Sequence, residues 1–307
     1  MTILLYNTGI KLKQYLNDKF VPFDDNEYNY LGLNYPYMCI FVNNLTLNTP
    51  ALLMLSYDTK MRLQYKYNQF HINKSLLDKI IITKKLVNNI QILISQIDKD
   101  LAGVQIFRDK IIASMIKITF LTGIRIGKDI HFKTNNSVGL STIQKKHIID
   151  ITPKICVLEF IGKKGVAHHY EITDQSILKI LNYLYSSAKK NDDFIFEFEN
   201  HKITYIEVNN YIKLYMKDDQ ITGKDLRTLL ANILFIDHFF KHLDLKFKNN
   251  IIESTKYVAE NLHNTNAVSK KSYIFNRIIE YLEHNQLSNL KTKTPIEILK
   301  IILNQDS

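Results

Sequence analysis

Residues 155–172 read ICVLEFIGKKGVAHHYEI. Two runs rich in β-branched and aromatic residues flank the segment Gly162-Lys-Lys-Gly165, and this pattern predicts a β-hairpin with Lys163 at its tip. Thr173 and Asp174, which are good N-cap residues, follow directly and indicate the start of a helix. Beyond them one apolar stripe has helical spacing and consists of Ile177, Ile180, Leu181 and Leu184. We therefore predict a hairpin followed by a chain that is helical to its end.

The chain before the hairpin also has helical periodicity. From Thr83 onward one helical face is formed by Leu86, Ile90, Leu93 and Ile97. A second helix is predicted over about residues 105–121 and ends at Gly123, because glycine readily takes the left-handed conformation that closes helices. Arg125 therefore lies just past a helix end. The apolar runs 139–143 and 147–151 predict two further short strands.

Residues 1 to about 75 have a different texture. They are rich in Tyr and Asn, carry three prolines and break into short apolar runs such as 37–42 and 51–55, which is typical of β structure. We therefore predict an α+β protein of two domains. Residues 1–76 form a small, mainly β N-terminal domain, and residues 77–307 form a mostly α-helical catalytic domain that carries the lysine hairpin.

The composition suits a protein that binds a polyanion, although a merely soluble, Lys-rich protein would have the same charge balance. Lys and Arg outnumber Asp and Glu by 40 to 30, and the sequence pI is about 9.2. Such a surface favours nucleic acid as the partner. We find no apolar stretch near the ~18 residues that a membrane span requires, and we predict no contact with a membrane.

The sequence gives no support for metal or nucleotide chemistry. The two cysteines, Cys39 and Cys156, lie outside any CxxC or Cys/His spacing, so we expect neither a disulfide scaffold nor a zinc site, and we expect a reducing compartment. P-loop, Rossmann and zinc-protease patterns are missing from the sequence. We expect no cofactor, no metal ion and no nucleotide.

Five short segments contain the candidates for chemistry: TGIRIGK (122–128), VGLSTIQKKH (138–147), FIGKKG (160–165), KDLRT (224–228) and HNTNAVSKKSY (263–273). In this order they resemble the type IB DNA topoisomerases of poxviruses, giant viruses and bacteria, and the resemblance covers nearly the whole chain. It implies an isomerase that relaxes supercoiled DNA by cutting and resealing one strand through a 3′-phosphotyrosyl intermediate. It also implies the catalytic fold that these enzymes share with tyrosine recombinases.

The same resemblance assigns roles to five residues. It implies that Tyr273 is the nucleophile, that Arg125, Arg227 and His263 bind the scissile phosphate, and that Lys163 is the general acid. Taken singly, an Arg after a helix is usually a solvated charge and a Lys beside glycine is usually part of a turn. The ordered set of five favours catalysis.

Elementary chemistry agrees with these roles. Two guanidinium groups offer planar, permanently charged donors to the phosphate oxygens on which negative charge develops, and His263 can add one positioned N–H. A phenol with a pKa near ~10 is mostly protonated at neutral pH, so surrounding cations must favour the Tyr273 phenolate. The departing 5′ oxygen is a poor alkoxide and needs a proton from a positioned acid.

The segment 58–67, DTKMRLQYKY, resembles the part of the family that touches DNA bases and backbone. Basic residues alternate there with polar and aromatic ones, which suits a strand whose one face meets a groove, with Lys and Arg on phosphates and Gln on a base edge. The predicted DNA-binding residues are Lys60, Arg62, Gln64, Tyr65, Tyr67 and, outside this segment, Lys224.

Two alternative functions remain open at this stage. A tyrosine site-specific recombinase shares much of the constellation, but it typically has His three residues before the second Arg, where this chain has Lys224 before Arg227. A non-catalytic DNA-binding protein would explain the charge but not all five residues. For the topoisomerase we expect a monomer that binds duplex DNA inside the cell, either in the virion and at the cytoplasmic replication site of a virus or in the bacterial cytoplasm.

Overall fold

The computed structural model describes residues 2–7, 12–16, 19–22, 39–43, 52–57, 63–67 and 69–305. The chain divides into two compact units, Met1–Lys79 and Ile80–Ser307. Among the described residues of the first unit, six strands form one antiparallel sheet in the order β3-β2-β1-β4-β5-β6. The strands are β1 (Thr2–Asn7), β2 (Leu12–Leu16), β3 (Lys19–Pro22), β4 (Cys39–Asn43), β5 (Leu52–Tyr57) and β6 (Leu63–Tyr67).

The second unit is mostly helical. Its helices are α1 (Gln69–Leu101, which contains the unit boundary), α2 (Arg108–Thr122), α3 (Asp129–Asn135), α4 (Gln175–Ser187), α5 (Tyr205–Met216), α6 (Gly223–Lys241), α7 (Phe247–Asn261), α8 (Asn266–Ser272), α9 (Asn276–His284) and α10 (Pro295–Asn304). Buried α2 packs against α4, α5 and α6, and α6 packs in turn against α7 and α10. The prediction of an α+β protein dominated by helices is confirmed.

Small sheets complete this unit. β7 (Ile148–Ile151), β8 (Cys156–Ile161) and β9 (Ala167–Ile172) pair antiparallel in that order. Residues Lys163–Gly165 form one 3-10 turn between β8 and β9. Asp174 caps α4 by accepting a hydrogen bond from the backbone N–H of Ile177, and the predicted stripe on this helix is buried.

Three elements differ from the sequence predictions. α1 begins at Gln69 rather than Thr83, and none of its residues from 69 to 82 is buried. Residues Leu140–Thr142 form a buried 3-10 turn instead of a strand. The C-terminal part is not wholly helical, since β10 (Glu197–Phe198) and β11 (His201–Lys202) form a short hairpin.

The described helices include none that is both long enough and apolar enough to cross a membrane.

Candidate active site

Arg125 is positioned by the end of α2. Gly123 has φ +69° and donates its backbone N–H to the carbonyl of Thr119 at 2.9 Å, so it closes the helix as predicted. A Cβ on Gly123 would lie 2.5 Å from the Leu262 side chain and 3.5 Å from Nη1 of Arg227. The glycine therefore allows three segments of the site to approach closely.

Arg227 lies on α6 and is only 2% exposed. Its Nη2 donates to the carbonyl of Leu262, and its Nε lies 3.4 Å from the hydroxyl of Tyr273. Its Nη1 is buried with no hydrogen-bond partner among the described residues. Burial and the nearby Arg125 lower the pKa of Arg227. No carboxylate in the described part of the chain forms an ion pair with either arginine.

Tyr273 follows α8, and its hydroxyl is shared by the two arginines. Nη2 of Arg125 and Nε of Arg227 each donate to this oxygen at 3.4 Å, and the Arg227 guanidinium lies 5.5 Å from the ring centroid. Burial by itself raises the pKa of the phenol, but the charges of Arg227 and Arg125 outweigh burial and hold the pKa of Tyr273 below its usual value. The two cations therefore favour the phenolate form of Tyr273.

His263 lies immediately beyond α7, in the left-handed region with φ +47°. The backbone N–H of Asn264 reaches back to the carbonyl of Ala259 at 2.8 Å, which closes the helix end around this histidine. Burial, followed by the charges of Arg227 and His169, lowers the pKa of His263. Its imidazole is therefore neutral at pH 7 and can donate one N–H without carrying a charge.

A buried histidine supports His263. His168 on β9 lies with its ring centroid 4.7 Å from that of His263, and its Nδ1 is 3.0 Å from the hydroxyl of Tyr170. A Cβ on Gly162 would come within 2.4 Å of Nε2 of His168. His168 thus packs directly against the backbone that precedes Lys163.

Burial and the neighbouring charges of His263, Arg125 and Arg227 lower the pKa of His168 to about 4. The unfolded chain binds this proton near pH ~6.5 and the folded chain near pH 4, so acid stabilises the unfolded chain. We expect this one group to reduce the free energy of unfolding by about 1–2 kcal/mol between pH 7 and pH 5. Urea unfolding at both pH values should show this loss in the parent protein and a smaller loss in His168→Gln.

The exposed neighbour His169 provides the matched control, because its pKa is raised by hydrogen bonding to Glu159 rather than lowered. His169→Gln should lose as much free energy of unfolding between pH 7 and pH 5 as the parent protein does, because His168 is still present. An equal pH dependence in the parent and in His168→Gln would contradict the assignment of the buried neutral form.

Lys163 does not contact the other four residues. It is exposed on the turn between β8 and β9, and its side chain forms no hydrogen bond or ion pair with the part of the chain that the structure describes. The structure therefore brings together Arg125, Arg227 and Tyr273, places His263 beside them, and leaves Lys163 at the edge.

Comparison of the sequence with known proteins identifies the family of this chain. The family model described as "Eukaryotic DNA topoisomerase I, catalytic core" matches residues 64–297. The chain belongs to the type IB DNA topoisomerases. It is 30% identical to DNA topoisomerase 1B of Acanthamoeba polyphaga mimivirus over 80% of this chain and 77% of that protein. It is 28% identical to DNA topoisomerase 1 of Rabbit fibroma virus, over 76% and 73% of the two chains.

A third relative, DNA topoisomerase 1B of Vaccinia virus (strain Copenhagen), is 27% identical over 82% of this chain and 80% of its own. All three relatives are viral. The chain is thus an isomerase, and the predicted family and enzyme class are confirmed.

The predicted DNA-binding strand of this topoisomerase is described in part. Lys60 and Arg62 lie outside the described residues. Tyr65 and Tyr67 in β6 are 55% and 41% exposed, and their rings stack with centroids 6.5 Å apart. Gln64 belongs to the opposite face of this strand from the two tyrosines, because successive side chains alternate. Lys224 is exposed in the first turn of α6.

Sequence reasoning missed two asparagines of the topoisomerase site. Asn232 on α6 is fully buried; its Nδ2 donates to the carbonyl of Tyr273 at 2.9 Å, and its Oδ1 accepts the N–H of Phe275 at 3.1 Å. Asn264 accepts a hydrogen bond from Arg125. A polar residue inside the apolar run LLANILF was the available signal for Asn232, whereas Asn264 stands in a polar loop and gave none.

Proposed function

We propose that this topoisomerase relaxes supercoiled duplex DNA by cutting one strand through Tyr273, holding the 3′ phosphate covalently, and resealing the strand without ATP or a metal ion. The observation that carries the proposal is the position of the Tyr273 hydroxyl, 3.4 Å from a nitrogen of each of two arginines. A phenol held in this way is both activated and placed beside two phosphate ligands.

In the cleavage step the Tyr273 oxygen forms a bond to phosphorus while the bond from phosphorus to the 5′ oxygen breaks. Extra negative charge develops on the non-bridging oxygens. No carboxylate in the described residues forms an ion pair with Arg125 or Arg227, and Nη1 of Arg227 has no hydrogen-bond partner there, so both guanidinium charges can stabilise the charge that develops on the phosphate. Neutral His263 donates one N–H to the same oxygens. The Tyr273 proton passes to solvent water, and the lowered pKa of the phenol reduces the cost of this loss.

Lys163 delivers the proton that the departing 5′ oxygen needs. Its turn projects from the pairing of β8 and β9, and its ammonium has no partner in the described part of the chain that would hold it elsewhere. Gly162, at the start of this turn, packs against the buried side chain of His168, and this contact fixes the position of the turn. In the reverse reaction the 5′ hydroxyl attacks the phosphotyrosine and Lys163 takes the proton back. The ester conserves the bond energy, so resealing requires no nucleotide.

The two proposed domains together clamp the duplex. We assign residues 1–76 to a β-rich clamp domain and residues 77–307 to the catalytic domain. Exposed Tyr65 and Tyr67 support the first assignment, since stacked aromatic rings on a strand offer a surface for sugars or bases. The remaining proposed DNA contacts are Lys60, Arg62, Gln64 and Lys224. We further propose that the enzyme works as a monomer, in the virion and at the cytoplasmic replication site that its viral relatives suggest.

A relaxation assay tests the proposed function directly. The purified enzyme should convert negatively supercoiled plasmid to relaxed circles in EDTA and without ATP, because every group in the proposed mechanism belongs to the chain or to DNA. Tyr273→Phe in the same buffer is the control and should leave the plasmid supercoiled. Activity that appears only on adding Mg²⁺ or ATP would contradict the mechanism, and DNA binding without relaxation would favour a non-catalytic binding protein.

A further inference from the structure

Three buried side-chain atoms in the described part of the chain have no hydrogen-bond partner: Nη1 of Arg227, Nδ2 of Asn264 and Oγ of Ser269. All three lie in the elements that form the active site. A buried polar atom without a partner is destabilising, because folding removes its hydrogen bonds to water and supplies none in return. Their concentration in one place indicates a site that is completed by a ligand.

The Asn264 side chain is oriented by Arg125. Its Oδ1 lies 3.2 Å from Nη2 of Arg125, the same nitrogen that is 3.4 Å from the hydroxyl of Tyr273. A guanidinium only donates, so the amide must turn its oxygen to Arg125 and its Nδ2 away from it. The backbone of Asn264 is held as well, because its N–H donates to the carbonyl of Ala259 at 2.8 Å.

We propose that Asn264 is a further catalytic residue: its Oδ1 fixes the Arg125 guanidinium, and its unpaired Nδ2–H donates a hydrogen bond to an oxygen of the scissile phosphate. This inference rests on the roles proposed above for Arg125 and Tyr273. Asn264 is adjacent in sequence to His263, so one helix end supplies two neutral donors beside two charged ones. A phosphate oxygen is the acceptor that the Nδ2 lacks in the free protein.

An amide is suited to both tasks at once. A carboxylate in its place would accept from Arg125 more strongly, but it would have no N–H to donate and would set a negative charge beside the phosphate. Alanine would lose both contacts. The two substitutions therefore separate a residue that only orients Arg125 from one that also binds the phosphate.

Single-turnover cleavage of a labelled duplex oligonucleotide provides the test. Asn264→Ala should slow cleavage by roughly 10- to 100-fold, the effect of losing hydrogen bonds to charged groups. Asn264→Asp, which keeps the size and the acceptor, should be at least as slow. Noncovalent DNA binding should change little, because many other phosphate contacts remain. Exposed Asn261, near the same helix end, is the matched control, and Asn261→Ala should cleave at the parent rate.

The outcomes separate this inference from the proposed function. A parent-like rate in Asn264→Ala would overturn the inference, and so would an Asn264→Asp enzyme faster than Asn264→Ala, which would leave only an orienting role. Arg125→Ala, measured in parallel, tests the proposed role of Arg125 itself. A parent-like cleavage rate in Arg125→Ala would contradict that role rather than the inference about Asn264. The double variant should be slower than Arg125→Ala alone, although by less than the Asn264→Ala factor, because one of the two lost contacts joins these residues. No further slowing in the double variant would also contradict phosphate binding by Asn264.

Discussion

Tyr273→Phe binds duplex DNA with nearly the parent affinity and never becomes covalently attached to it; this is the largest effect that we expect. The substitution removes the attacking oxygen but keeps the ring, which lies 5.5 Å from the Arg227 guanidinium. Residual cleavage should fall below detection, because no other hydroxyl is shared by Arg125 and Arg227 in the described residues. Denaturing gels of 5′-labelled DNA measure the adduct, and filter binding measures the affinity.

Tyr281 is the nearest downstream tyrosine and makes the matched control. It lies on α9 and is packed against the core, away from the hydrogen bonds that define the site. Tyr281→Phe should form the adduct at the parent rate. A covalent adduct that survives in Tyr273→Phe and disappears in Tyr281→Phe would move the nucleophile to Tyr281.

Lys163→Ala slows cleavage by roughly 10²- to 10⁴-fold, the usual contribution of a general acid. DNA binding should change little, because one exposed lysine is a small part of the total charge that meets the phosphates. Lys164→Ala, a change at the next residue, is the matched control and should cleave close to the parent rate. Single-turnover cleavage of labelled DNA gives both rates.

Replacing the scissile 5′ oxygen by sulfur sharpens this prediction. The leaving thiolate has a pKa near ~8.5 by analogy with cysteine and needs almost no proton donor. Lys163→Ala should therefore cleave the sulfur substrate almost as fast as the parent enzyme does. Arg227→Ala should be rescued less, since charge still develops on the non-bridging oxygens. Equal defects of Lys163→Ala on both substrates would overturn the assignment and make Lys224 the next candidate for the acid.

The helices whose packing face is apolar were predictable from sequence. Leu86, Ile90, Leu93 and Ile97 are all buried as predicted. The first turns of α1 were missed, although Ile72, Leu76 and Ile80 also stand at helical spacing. The hairpin at residues 197–202 was also not predicted from the sequence. It turns through Glu199 and Asn200, both with positive φ, and this dipeptide lacks the glycine that normally marks such turns.

The candidate site was predictable as a set of residues but not as a set of contacts. Motif order identified Arg125, Arg227, His263 and Tyr273, which lie on four separate elements of the fold. The roles of Asn232 and Asn264 depend on which backbone groups and nitrogens fall within 3.3 Å of their amides, and those distances are set by tertiary packing. These distances cannot be predicted from the sequence alone.

Two of the three hydrogen bonds of the Asn232 side chain have a mechanical consequence. While the free 5′ end of the cut strand rotates, the protein would hold the 3′ end through a single phosphotyrosine bond. The torque on this bond would reach the backbone at Tyr273. Asn232 ties the carbonyl of Tyr273 and the N–H of Phe275 to α6, and Ile274 and Phe275 are buried beside it. The load would therefore spread into a 19-residue helix rather than a free loop, so the anchor point stays fixed for resealing while the DNA turns.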